Sequence, residues 1–145
     1  MAGVSYVTGT VEWSRGVLRM LADKRVHAVM PTHDVERLAA FYRDTLGLKV
    51  RAERPSAVMF ETSPGSVFVV SRTGSLSTGA HTQMAFTVTD VEAEVADLQA
   101  RGVAVESYEM PKTENGVATL PAGRAAWFKD PDGNLIGLFE WADPA

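Results

Sequence analysis

The chain has 145 residues, 46% apolar and 22% charged, the balance of one globular domain able to bury roughly 70% of its extended surface, which excludes disordered, collagenous and coiled-coil classes. Lys plus Arg total 14 against 18 Asp plus Glu, a net charge of −4, with the basic residues scattered, so neither nucleic acid nor an anionic membrane is an expected partner. There is no cysteine, which excludes disulfides, thiolate zinc sites, iron–sulfur clusters and cysteine nucleophiles and leaves Asp, Glu and three histidines, His27, His33 and His81, as the strong metal donors.

Residues 1–22 stand apart as an N-terminal extension, in which Val11, Val17, Leu18 and Leu21 have the spacing of a short helix around Trp13. No signal-peptide pattern opens the chain and no run of about 20 apolar residues follows, so a cytoplasmic location is expected. A strand is predicted over 25–30. Asp34 then suits the N-cap of a helix whose apolar stripe is Val35, Leu38, Ala39, Tyr42 and Leu46, closed by Gly47. Strands follow over 48–52, 57–61 and 67–72, the last two separated by the turn Ser63-Pro64-Gly65-Ser66.

The second half repeats this order: Asp34-Val35-Glu36 returns as Asp90-Val91-Glu92. A strand over 83–88 leads to a helix with Val91, Val95 and Leu98 on one face and Gly102 at its end. Further strands are predicted over 103–108, 125–128 and 135–141, with Asp130-Pro131-Asp132-Gly133-Asn134 as the last turn. The stretch 110–123, with Pro111, Asn115-Gly116, Pro121 and Gly123, is expected to be irregular, a surface loop with a pocket lid as the alternative.

Three segments, His27-Ala28-Val29-Met30-Pro31-Thr32-His33-Asp34, Phe41-Tyr42-Arg43-Asp44-Thr45-Leu46-Gly47-Leu48 and Trp127-Phe128-Lys129-Asp130-Pro131-Asp132-Gly133-Asn134-Leu135-Ile136, resemble the vicinal oxygen chelate superfamily. That superfamily includes glyoxalase I, extradiol dioxygenases and the fosfomycin- and bleomycin-resistance proteins. The resemblance implies an α+β fold of two paired βαβββ modules, about 25–72 and 82–142, forming an open, rolled mixed sheet with helices on the convex side of a single domain over 23–145. Enzymes of the superfamily hold a metal from the first and fourth strands of each module. By position the resemblance places His27, Val69, Gln83 and Gly137 there, a set that is short of the three ligands a catalytic cation usually takes. No cofactor is therefore expected, with a divalent metal as the alternative.

Strand alternation puts Val69, Gln83, Gly137, Phe139 and Trp141 on the concave side with His27, and His81 shares the parity of Gln83. The alternate residues, Ala28, Met30, Phe68, Val70, Met84, Phe86, Val88, Ile136 and Leu138, are expected beneath the helices. Gly137 is expected to leave room where a carboxylate would stand, and Trp127, Phe139 and Trp141 to stack on a planar ligand. The candidate ligand-binding residues are thus His27, Val69, His81, Gln83, Trp127, Gly137, Phe139 and Trp141, with His27 the candidate catalytic residue. Three functions fit: a metal-free binder of a small hydrophobic or aromatic molecule, similar to the bleomycin-resistance branch; a metal-dependent lyase or dioxygenase; and a cofactor-free acid–base enzyme using His27. A homodimer is expected, because a rolled sheet leaves edges to cover.

Overall fold

The computed structural model describes residues 6–7, 10–11, 21–77 and 80–142. Two short strands, β1 (Tyr6–Val7) and β2 (Thr10–Val11), pair antiparallel, and the helix expected around Trp13 lies outside the described residues. After a single 3-10 turn at Leu21–Asp23, the first module runs β3 (Ala28–Thr32), α1 (Val35–Ala40), β4 (Lys49–Arg54), β5 (Ala57–Glu61) and β6 (Val67–Arg72). The second runs β7 (Thr82–Thr87), α2 (Val91–Ala100), β8 (Thr113–Glu114), β9 (Val117–Leu120), β10 (Gly123–Lys129) and β11 (Leu135–Trp141).

Each module makes its own open mixed sheet, ordered β3-β6-β5-β4 and β7-β11-β10-β9-β8. In both, the first strand lies parallel to the last and the other pairs are antiparallel. The edge strands β3 and β7 lie against each other. Both helices start as the sequence dictates. Asp34 Oδ1 accepts from the Arg37 N–H and Asp90 Oδ1 from the Ala93 N–H, each at 3.1 Å, satisfying one of the free donors of a helix N-terminus. The first helix continues as a wider π-type turn over Phe41–Thr45 before the chain reverses.

Alternation decides the core. Met30, Phe68, Val70, Ile136 and Leu138 are buried, and Ala28, Met84, Phe86 and Val88 pack half-buried against them. They meet Leu38 and Tyr42 of the first module and Val91, Val95 and Leu98 of α2 in one continuous core, so burial of apolar surface couples the two modules. The β10–β11 turn adds a polar joint. Asp130 Oδ2 accepts from Tyr42 Oη at 2.8 Å and from Asn134 Nδ2 at 2.7 Å, and the same Nδ2 donates to Pro31 O at 3.3 Å. On the surface Arg37 pairs with Asp132.

Three sequence expectations change. The first strand occupies Ala28–Thr32 rather than 25–30, so Pro31 sits inside it, which an edge strand tolerates because one side needs no N–H donor. Residues 103–108 do not form a strand: Val105 makes a single bridge to Phe128. The strand that should follow α2 comes instead from the stretch expected to be irregular, where β8 and β9 form a hairpin about Asn115 (φ 52°) and Gly116 (φ 81°). Two consecutive positive φ values are what a tight hairpin turn needs, and Asn-Gly supplies them cheaply. Among the described residues no helix is long and apolar enough to cross a membrane.

Candidate functional site

The site is built on the face of the five-stranded sheet away from the helices. There β10 and β11 pair with Trp127 opposite Gly137 and Ala125 opposite Phe139, so Leu135, Gly137, Phe139 and Trp141 alternate onto the same face as Trp127. Because Gly137 has no side chain, the indole of Trp127 comes to rest beside it, and a Cβ at 137 would lie 3.6 Å from Trp127 Nε1. That nitrogen donates to Thr82 Oγ1 at 3.0 Å. Thr82 is within reach because the register of β7 on β11 shifts: Leu135 pairs with Thr82 but Ile136 pairs with Met84. Gln83 is the extra residue of this bulge, and its Oε1 is buried with no hydrogen-bond partner among the described residues.

Beside the indole lies a cavity of about 220 Å³, walled by Ala80, His81, Thr82, Tyr108, Met110, Pro111, Trp127 and Leu135. Tyr108 meets Trp127 edge to face, 5.7 Å between ring centres at 71°. The β8 hairpin holds Tyr108 in place, since the Tyr108 N–H donates to Thr113 Oγ1 at 2.9 Å and the Thr113 N–H to Tyr108 O at 3.0 Å. Burial, and secondly the Glu106 carboxylate, push the Tyr108 phenol above its ordinary value, so it is protonated at neutral pH and able to donate. Among the described residues no Asp, Glu, Lys or Arg lines this cavity. An aromatic floor with a few hydrogen-bonding groups is the usual construction of a small-molecule pocket.

A larger cleft of about 550 Å³ runs along the seam between the sheets, lined by Thr62, Ser63 and Ser66 together with Ala28, Phe68, Met84 and Phe86. None of the candidate ligand-binding residues lines it.

The structure divides those residues between the sheets. His81 and Trp127 share the cavity, Gly137 lies against the indole, and Gln83 occupies the bulge. Phe139 and Trp141 sit farther along β11, edge to face at 4.6 Å and 60°, with Trp141 54% exposed. On the other sheet, His27 is exposed just before β3, and Val69 is half-buried between Val29 and Met59. Sequence reasoning missed Thr82, Tyr108, Met110 and Pro111 as pocket residues. It also expected open room at Gly137, whereas a Cβ there would stand 3.2 Å from Thr82 Cγ2 and 3.3 Å from Ala85 Cβ.

The four positions that the family resemblance assigns to metal ligands do not fit a divalent cation. Val69 and Gly137 present no donor, and the space beside residue 137 belongs to the indole and to β7. What remains is one imidazole and one neutral amide, against the three or more protein ligands such an ion generally takes. Among the described residues no group of three or more His, Asp or Glu is placed to hold a metal.

A family model described as the Glyoxalase/Bleomycin resistance protein/Dioxygenase superfamily matches residues 24–138. Among solved structures, TnmS3, an antibiotic binding protein from Streptomyces sp. CB03234, is 29% identical, covering 86% of this chain and 100% of its own, with a TM-score of 0.67. A glyoxalase/bleomycin resistance protein from the same Streptomyces is 32% identical over 77% of this chain and 95% of its own, with a TM-score of 0.58. A glyoxalase/bleomycin resistance protein/dioxygenase from Nocardioides shares the fold at 22% identity, covering 90% and 89% of the two chains, with a TM-score of 0.65. No curated protein matches the chain.

Proposed function

We propose, from the premise that this chain belongs to the Glyoxalase/Bleomycin resistance protein/Dioxygenase superfamily, that it is a metal-free binding protein for a small hydrophobic, aromatic molecule. The observation that carries the reading is the Trp127 indole settled beside Gly137, where the superfamily's acidic ligand would stand. The position that the resemblance assigns to a metal ligand here adjoins an aromatic wall. The antibiotic-binding description of TnmS3, at 29% identity over its full length, supports the same reading.

In this account a planar ring stacks on Trp127 between Tyr108 and Leu135, with Met110 and Pro111 closing its edge. Such aromatic contacts contribute roughly 0.5–1.5 kcal/mol each beyond the area they bury. His81 and the Tyr108 hydroxyl give orientation through hydrogen bonds to a carbonyl or hydroxyl of the ligand. His27 is exposed and does not line this cavity, so it is not placed to act as an acid or base on a ligand held there. A second copy of the chain covers the apolar side chains left on the sheet faces, of which Val29 is 48% and Trp141 54% exposed.

The test is a titration with a panel of planar aromatic compounds, followed by tryptophan fluorescence and thermal shift. Saturable quenching in the wild type that is lost in a folded Trp127→Ala variant supports the reading. A panel that gives no saturable response in either measurement sinks it.

A further inference from the structure

Glycine inside a strand weakens it and is retained for close approach, a bulge or a left-handed turn. Gly137 lies in the middle of β11 without a positive φ, so its backbone conformation is open to any residue and the reason for glycine is space. Three atoms set that space: Thr82 Cγ2 and Ala85 Cβ, both anchored on β7, and the indole nitrogen of Trp127.

We propose that Gly137 is a positioning residue for Trp127: by carrying no side chain it lets β7 close against β11 and seats the indole on the Thr82 hydroxyl, which restricts the pocket to planar aromatic ligands. The ligand class rests on the binding reading above; the positioning does not. A Cβ at 137 would press on Thr82 Cγ2 at 3.2 Å and Ala85 Cβ at 3.3 Å and would meet the indole nitrogen at 3.6 Å, an ordinary contact. Ala85 Cβ is held by the strand backbone, whereas the Thr82 methyl turns about its own side-chain torsion, so the Thr82 side chain is what yields, and its hydroxyl turns with it. The indole N–H thereby loses its acceptor and the ring its seat. An acidic residue at 137 would carry the same Cβ and would disturb the same seat.

The experiment follows the Trp127 indole N–H resonance in ¹⁵N-labelled protein, assigned with Trp127→Phe, together with calorimetric titration of 2-naphthol, a planar ring carrying one hydroxyl. Gly137→Ala is expected to move the resonance and weaken 2-naphthol about tenfold, a change of roughly 1.4 kcal/mol. Thr82→Ser added to Gly137→Ala removes the methyl group at 3.2 Å but keeps the acceptor hydroxyl; it is expected to bring the resonance back toward its wild-type position and recover most of the affinity. A Gly137→Ala protein with an unmoved resonance and wild-type affinity overturns the proposal, as does a folded double variant with no recovery. If Gly137→Ala does not fold, Thr82→Val, which leaves Gly137 in place and removes the acceptor, is expected to shift the resonance and weaken binding; no change in either overturns the seat on Thr82. Wild-type protein that ignores 2-naphthol while Gly137→Ala still displaces the resonance supports the positioning role and overturns the aromatic ligand class.

Discussion

Tyr42, in the first module, donates its hydroxyl to Asp130 in the last turn of the second module at 2.8 Å, a contact between residues 88 positions apart. Both are buried. Burial, reinforced by the neighbouring Asp130 carboxylate, pushes the Tyr42 phenol far above its ordinary value, so it acts as a fixed donor. Tyr42→Phe removes that donor and leaves a buried carboxylate short of one partner, which costs about 1.5–3 kcal/mol for a bond to a charged group. Urea denaturation at neutral pH checks it. A loss under 0.5 kcal/mol, on the order of an ordinary surface substitution, shows that the apolar core alone holds the modules together.

Glu140 ties β11 to the start of α2. Its Oε2 accepts from the Val91 N–H at 2.9 Å, and Arg124 pairs with it at 3.2 Å. The backbone donor first, and then Arg124, hold its carboxyl below the usual value. A depressed carboxylate contributes stability that is present above its unfolded pKa and lost as the pH falls through its folded one. Glu140→Gln is therefore expected to lower the urea midpoint at pH 7 and to flatten the acid loss of stability below about pH 4.3, the ordinary glutamate value. Parallel midpoint-against-pH curves for the two proteins contradict this.

Gly116 closes the β8–β9 hairpin with φ 81°, and a Cβ there would stand 2.7 Å from Val105 Cγ1. Gly116→Ala combines backbone strain with that overlap and is expected to cost about 1–3 kcal/mol. Val105→Ala in the same chain should return part of the loss, since it removes the colliding methyl but not the strain. Because Thr113 of this hairpin bonds to Tyr108, Gly116→Ala should also weaken aromatic ligands. Calorimetric titration of the folded variant with 2-naphthol reads that effect, and unchanged affinity uncouples the hairpin from the pocket.

The proposed second copy covers an apolar face that includes Trp141. Trp141→Glu places a charge there, and sedimentation at micromolar concentration is expected to show the wild type as a dimer and the variant shifted to monomer. A monomeric wild type contradicts this part of the account.

The sequence located the scaffold well where alternation and turn chemistry agreed. The strands at 57–61, 67–72 and 135–141 have the bounds read from the residues, and Asp34 and Asp90 cap as their type demands. Legibility failed where pairing between strands decides geometry. Val103 and Val105 alternate like a strand, but their burial is achieved in an irregular segment. The neighbouring Asn115-Gly116 was a readable hairpin signal, outweighed by Pro111 and Pro121. The bulge that presents Thr82 arises only from the register of β7 against β11 and leaves no local pattern. Trp127 opposite Gly137 was within reach, because a turn joining Lys129 to Leu135 sets every pair behind it.

The most direct test of the central claim is elemental analysis joined to native mass spectrometry, on protein purified without chelator from metal-supplemented culture. No stoichiometric divalent metal is expected, with any mass above that of the chain being organic. One cation per chain, whose removal by a chelator abolishes binding of the aromatic ligand, contradicts it.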